Sequence, residues 1–258
     1  PHDVEPETNI TLIAQDQAGN EKTSGLSYRL RDVNYRKSNI NISENFVENI
    51  MVPLMDEDSS GSTHKEIFLK VNNEMRKKND ATIKEVGTKS ESEILWSGAF
   101  RQLSNSKVEA NFADERTYIL NEESIDQQYH LGYDLAVTKR YPIEAANNGI
   151  IVYADALGIY GNTVMIDHGM GILTLYGHMS TIDVEVGDHV SKNDIIGRTG
   201  ETGLAAGDHL HYGIYVNGVA VRPVEWWDNK WIKDNVTLKI NQASGEFNTQ
   251  IPETESQN

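Results

Sequence analysis

Four histidines and one aspartate stand in three short phrases between residues 130 and 211: His130 and Asp134 in HLGYD, His178 in YGHMS, and His209 and His211 in GDHLHYG. Imidazole and carboxylate are zinc ligands, and imidazole is also the side chain that exchanges its proton nearest neutral pH. In an extended strand alternate residues share a face, so His209 and His211 project from one surface roughly 7 Å apart along the backbone. One of them can bind a metal while the other faces whatever lies beside it. His130 and Asp134 would share a face of a helix, but Gly132 between them and the run QQYHLGYDLAV point to a loop leading into a strand, where a turn still lets both converge. Two neutral imidazoles and one carboxylate leave a zinc position open to water, as catalytic sites do. Structural sites close it, often with thiolates, and this chain has no cysteine.

A lone histidine is more often a surface or structural residue than a ligand. His2 in a polar terminus, His64 in a Ser/Gly-rich loop and His189 at a turn are assigned that way. His168, in VMIDHG at the end of an apolar strand, is expected to be a hydrogen-bonded structural residue rather than a substrate contact. The five grouped residues differ, because an incidental origin would have to be argued for each phrase separately.

Positioning them falls to a β-rich segment. GIIVYAD, NTVMIDHG, ILTLYGH, DIIGRTG and HLHYGIYV are short, apolar or alternating, and separated by glycines such as Gly161, Gly171, Gly187 and Gly203. This spacing predicts a mainly β fold, a compact antiparallel sheet or barrel-like domain, over residues 96–240. Pro223 starts a helical turn in PVEWWDNKWIKDN, whose Trp226, Trp227 and Trp231 are expected to pack over the sheet rather than line a groove. Before residue 95 the text is more polar. It holds a strand in NITLIAQD with a turn at Ala18-Gly19-Asn20, a short helix over 43–51 capped by Ser43, and a second helix in HKEIFLKVNNEMRKK, where Ile67, Val71 and Met75 recur every four residues. DEDSSGST between them is a solvated loop. Residues 1–95 are expected to form a small α+β module, either regulatory or a spacer, and residues 241–258 a polar, flexible tail.

Composition narrows the partners. The net charge of -16 argues against nucleic acid and against an electrostatic grip on anionic lipid, so a substrate must be held by shape and hydrogen bonding. No apolar run approaches the roughly 18 residues needed to cross a bilayer. The chain begins at Pro1, which suggests a trimmed or processed product and leaves room for a secretory signal or membrane anchor outside it.

The order HLGYD, YGHMS, GDHLHYG, with TVMIDHGMGILTLYGHMS and VEVGDHVSKNDIIGRTGETG between, resembles the LytM/lysostaphin-type zinc metallopeptidases, which cut peptide bonds in bacterial cell walls. The likeness covers roughly residues 98–235. It implies a duplicated hybrid motif of two sheet layers, one zinc ion held by His130, Asp134 and His211, and two non-ligand active-site histidines, His209 and His178. No position of the metal motif is missing, whereas relatives that act only as activators of other wall hydrolases have lost ligands. The resemblance implies a peptidoglycan endopeptidase acting on D-alanyl (DD) bonds, a periplasmic or extracellular location, and room for a regulatory protein partner. The phrase AQDQAGNE resembles the last strand and turn of bacterial immunoglobulin-like domains, which would place such a domain upstream.

In that setting zinc lowers the pKa of bound water to about 7 and polarises the scissile carbonyl. His209 is assigned as general base and His178 as stabiliser of the oxyanion, two roles that could be exchanged. In GAFRQLSNSKVEANFADERTY an aromatic-Gly pair is common among relatives, and here Ala113 follows Phe112. In some relatives an upstream asparagine fills the open zinc position, a role for which Asn111, Asn105 or a residue in the first module are candidates that no motif singles out. Three rival functions fit less well. A wall-binding or amidase-activator protein of the same fold predicts lost ligands. A biotinyl or lipoyl carrier, suggested by VEVGDHVSKNDIIG, lacks a lysine in an exposed hairpin flanked by methionine. An iron-dependent oxygenase would leave His178 and His209 without a task.

Overall fold

The structure, a computed structural model, describes residues 10–25, 33–55 and 58–243. His2 and residues 244–258 of the expected tail lie outside the described residues. The chain is mainly β, as its glycine-punctuated short strands predict. The central sheet runs, edge to edge, through His189–Val190, Gly149–Ala156, Asn162–Asp167, Ile172–Met179, Leu210–Val216, Tyr133–Ala136 and Lys107–Ala110, with Val219–Val221 also paired to Leu210–Val216. Every pairing in it is antiparallel. Ile172–Met179 is buried along its whole length, so both faces of the sheet's middle are covered.

A smaller antiparallel sheet of Thr181–Ile182, Ile195–Arg198 and Pro142–Glu144 lies apart from it. A third joins Lys37–Ile42, Glu115–Leu120 and Glu123–Tyr129, and its first two strands are parallel. A parallel pair needs a long crossover. Here the crossover carries the helices, and the sequence pattern gave no hint of the pairing because the partners lie in segments of unlike composition.

The first helical run, residues 44–54, starts at Ser43, whose hydroxyl accepts from the Phe46 amide at 3.2 Å. The second spans residues 64–87: an α-helix His64–Leu69 entered through a Thr63/Glu66 capping box, a π-helical turn Lys70–Met75, and an α-helix Arg76–Gly87. It runs past the expected end because Asn79, Ile83 and Gly87 continue the buried face every four residues. The Asn79 amide oxygen accepts from the Ile159 amide at 3.0 Å, and Gly87 lies against the Gly218 backbone, so this face seats on the sheet domain. His64 is the first helical residue rather than a loop residue, 3.2 Å from Glu48, and His189 lies in a short edge strand. Val47, Phe68 and Ile83 share one continuous core with Leu135, Ile166 and Tyr176.

After the helical turn at Pro223, Trp226 packs edge-on against Trp96 and Phe100, and Trp227 against Tyr133. Both are packing residues, as expected. No described helix is long and apolar enough to cross a membrane.

Candidate metal centre and groove

Strand register does most of the work of assembly. His211 and Asp134 are directly paired residues on neighbouring antiparallel strands, so their side chains rise side by side from the sheet. His130 arrives from the end of Glu123–Tyr129 through a short loop, as Gly132 suggested. Gly132 is needed for close approach: a Cβ there would sit 2.7 Å from the His211 ring and from the Tyr212 carbonyl. The loop is clamped by Ala113, whose amide donates to the His130 carbonyl at 2.7 Å, and by the His130 amide donating to the Asp114 carbonyl at 3.0 Å. Ala113 is fully buried with φ +64°, a backbone conformation that favours glycine.

Three atoms meet at the floor of this arrangement. His130 Nε2 lies 2.9 Å from Asp134 Oδ1 and 3.0 Å from His211 Nδ1, and His211 Nδ1 lies 3.1 Å from the same oxygen. These residues form a group able to hold a metal ion. The donor chemistry fits zinc on an observation independent of the sequence. His130 Nδ1 donates to the Asn111 carbonyl at 2.9 Å, so in the neutral ring Nε2 is a lone pair. It faces a carboxylate oxygen and another imidazole nitrogen, an arrangement that calls for positive charge between them, from a shared cation or from a second proton on His130. The Asn111 carbonyl thereby fixes the ring's tautomer, as an outer partner does for a metal-ligating histidine. Asp134 Oδ2 is occupied separately, by the Arg116 guanidinium at 3.0 Å, which leaves Oδ1 alone for the cluster.

His178 and His209 flank the cluster, their ring centroids 4.7 Å apart. His178 donates from Nδ1 to the Thr202 carbonyl at 2.8 Å, and His209 from Nδ1 to the Gly207 carbonyl at 2.8 Å. In each neutral ring Nε2 is therefore the acceptor nitrogen, and that of His209 lies 3.6 Å from Asp134 Oδ1. His178 also has φ +62°, a strained backbone of the kind that clusters at functional sites.

Burial pushes the His211 imidazole down to about 4, and burial together with the neighbouring histidines takes His178 to about 3. Burial works to raise the Asp134 carboxyl, but His130 and the other imidazoles outweigh it and hold the group well below the ordinary carboxylate range. Burial also works against the charged form of His209, and the Asp134 carboxylate 3.6 Å away more than compensates, raising it. In the metal-free site His209 is thus the more basic of the flanking pair.

The cluster floors a groove. One arm, a cavity of about 220 Å³, is walled by Ile40, Phe46, Arg76, Arg116 and Leu204; the other, about 380 Å³, is bounded by Glu109 and Asp208. Asp134, Ala206 and His209 belong to both. All five sequence-predicted residues therefore stand together. Asn105 and Asn111 do not join them: the Asn105 amide bonds Tyr141 at 2.8 Å and Asn111 is exposed, reaching His130 only through its carbonyl. Arg116 was missed. Its signal was available in ERTYIL, where a charged residue shares the inward face of a strand with Tyr118 and Leu120, both buried. His168 is structural, bonded to the Asn148 carbonyl at 2.6 Å and the Thr174 hydroxyl at 2.8 Å.

Residues 128–223 match the model of peptidase family M23. A stretch of 95 residues is 41% identical to the DD-carboxypeptidase/endopeptidase Mpg of Neisseria meningitidis, covering 37% of this chain and 22% of that protein. Another likeness, 34% over 118 residues, is to the peptidoglycan DD-endopeptidase ShyA of Vibrio cholerae, covering 46% of this chain and 26% of that one. The chain thus spans only about a quarter of these relatives' length. A crystal structure of an M23-type peptidase from Pseudomonas aeruginosa matches over 87% of this chain and 74% of its own, with a TM-score of 0.55 at 20% identity, a likeness of fold that reaches well outside residues 128–223.

Proposed function

We propose that the chain is a zinc endopeptidase that hydrolyses peptide cross-links of bacterial peptidoglycan at D-alanyl (DD) bonds, in the periplasm or outside the cell. The observation that carries this most is the meeting of His130 Nε2, His211 Nδ1 and Asp134 Oδ1 at the floor of a groove. The substrate class is supported by the names of the relatives. Zinc held by those three atoms would supply Lewis acidity toward a scissile carbonyl and bring the pKa of water near neutrality.

The chain's own residues do the rest. His209, with Nδ1 committed to Gly207, accepts a proton from the attacking water at Nε2, and Asp134 beside it favours the protonated ring. It then returns that proton to the departing amine. His178 is tied by Thr202 in the same manner, so its neutral ring also offers an acceptor at Nε2. Stabilising the carbonyl oxygen from His178 requires a second proton or a shifted tautomer, and burial opposes the first. The two roles are therefore unequal in cost, which favours His209 as base.

Incubation of the protein with purified sacculi, followed by mass analysis of the released muropeptides, tests the proposal. Cross-linked dimers should become monomers, a chelator should stop this, and added zinc should restore it. Intact cross-links after incubation with zinc-loaded protein would sink the peptidase reading.

A further inference from the structure

The two arms of the groove differ in charge. Glu109 and Asp208 bound one, whereas Arg76 and Arg116 line the other, in a chain with 39 acidic and 23 basic residues. Arg116 is spent on Asp134. Arg76 is not spent in that way: among the described residues the arginines in ion pairs within 4.0 Å are Arg101 and Arg116.

Arg76 is nonetheless held firmly. Its Nε donates to the Asn72 carbonyl at 2.9 Å and an Nη to the Asn72 side-chain oxygen at 2.7 Å. Asn72 is itself fully buried and donates to Asp126 at 2.8 Å. A guanidinium has five N–H donors, so the rest of the fork remains for a partner in the cavity. Asp80, one helical turn on, takes its hydrogen bond from the Tyr160 hydroxyl at 3.0 Å. The Tyr160 ring in turn lies 5.3 Å from that of His211. Arg76 lines the same cavity as His130, Asp134 and His211, on a helix that precedes the family-matched segment.

We propose that Arg76 is a specificity-determining residue that receives a free carboxylate on the substrate residue following the scissile bond. The proposal rests on the peptidase reading above. A planar fork with fixed orientation suits a carboxylate better than a lysine would. The acidic arm repels the same group, so the arginine also sets the direction in which a peptide lies. That the relative from N. meningitidis is named a carboxypeptidase as well as an endopeptidase agrees with a carboxylate next to the cut.

The test uses the full chain, zinc-loaded, and two probes: diacetyl-L-lysyl-D-alanyl-D-alanine and its C-terminal amide. Wild type should cleave the acid with at least about tenfold higher kcat/KM, through KM, in line with the strength of a charge-assisted hydrogen bond. Arg76→Gln should lose that preference, and Arg76→Lys should keep only part of it. Equal handling of acid and amide by wild type, or an unchanged preference in a folded Arg76→Gln protein, overturns the proposal. Calorimetric titration of both peptides separates the two readings. If wild type cleaves neither these peptides nor the cross-links of sacculi yet binds the acid more tightly in an Arg76-dependent way, the peptidase reading fails and the carboxylate site stands. Equal binding of acid and amide removes the site. Where Arg76→Gln does not fold, Arg76→Lys is read in its place by the same criterion.

Discussion

Two buried histidine clusters share this sheet, and they are built to opposite rules. Around His168 every polar group meets a complement. Nδ1 bonds the Asn148 carbonyl, Nε2 the Thr174 hydroxyl, that hydroxyl lies 3.2 Å from Tyr176, and Tyr176 accepts from the Ala146 amide at 2.8 Å. Phe100 closes the ring's face, with centroids 4.8 Å apart. Around Asp134 the reverse holds: acceptors crowd together, and His211 Nε2 is buried without a partner. Burial lowers His168 and His211 alike, to about 4, so a displaced pKa does not mark a site. What separates these two clusters is polar chemistry left incomplete around Asp134.

The strongest test of that contrast removes one member from each cluster. His130→Ala, Asp134→Ala or His211→Ala should abolish both stoichiometric zinc, read by metal analysis after dialysis, and cleavage of sacculi. His209→Ala and His178→Ala should keep zinc while turnover falls by about 10²–10⁴. His168→Gln should retain both zinc and turnover. Loss of zinc in the last variant would break the distinction, and full turnover in zinc-loaded His209→Ala would remove the base.

Stability against pH sharpens it next. His168 has a folded pKa of about 4 against 6.5 unfolded, so between these values the unfolded chain binds more protons. Stability from this residue is complete above pH 6.5 and is lost as pH falls from 6.5 toward 4. The loss is on the order of 3 kcal/mol. Denaturation of wild type and His168→Gln across that range, compared as a difference so that other histidines cancel, should show the wild-type curve steeper. Parallel curves would mean that the ring is not held neutral.

Arg116 offers a smaller effect. Arg116→Met leaves Asp134 Oδ2 without its guanidinium and should weaken zinc about 10–100-fold in a chelator competition. Arg116→Lys should recover part of the loss. Unchanged zinc affinity in Arg116→Met would show that the pair does not orient the carboxylate.

The metal cluster was legible in the sequence because its constraints are local. A strand's period of two puts His209 and His211 on one face, and Gly132 announces a loop that must pass close to a ring, whereas the register that sets His211 beside Asp134 is a long-range pairing that neither phrase encodes. The groove was not legible, because its walls come from long-range pairings. Ile40 on Lys37–Ile42 meets Tyr118 on Glu115–Leu120 in parallel register, across more than seventy residues. No periodicity within either strand encodes that partner. The long helix was legible in type but not in extent: polar Asn79 and achiral Gly87 hold its buried face, and neither counts as hydrophobic in a periodic pattern.

The finest contrast lies in two alanines, one at the edge of each cluster. Ala113 and Ala146 are both buried, and each donates its amide to the neighbouring cluster, Ala113 to the His130 carbonyl and Ala146 to the Tyr176 hydroxyl. Only Ala113 has a positive φ. Substitution by glycine removes the same methyl and adds the same freedom to the unfolded chain, together about 1–2 kcal/mol unfavourable. At Ala113 it also releases left-handed strain of roughly 1–2 kcal/mol. Ala113→Gly should therefore be near neutral in urea denaturation while Ala146→Gly is clearly destabilising. The difference between them measures the strain stored beside the metal centre, and equal losses at the two positions would show that none is stored there.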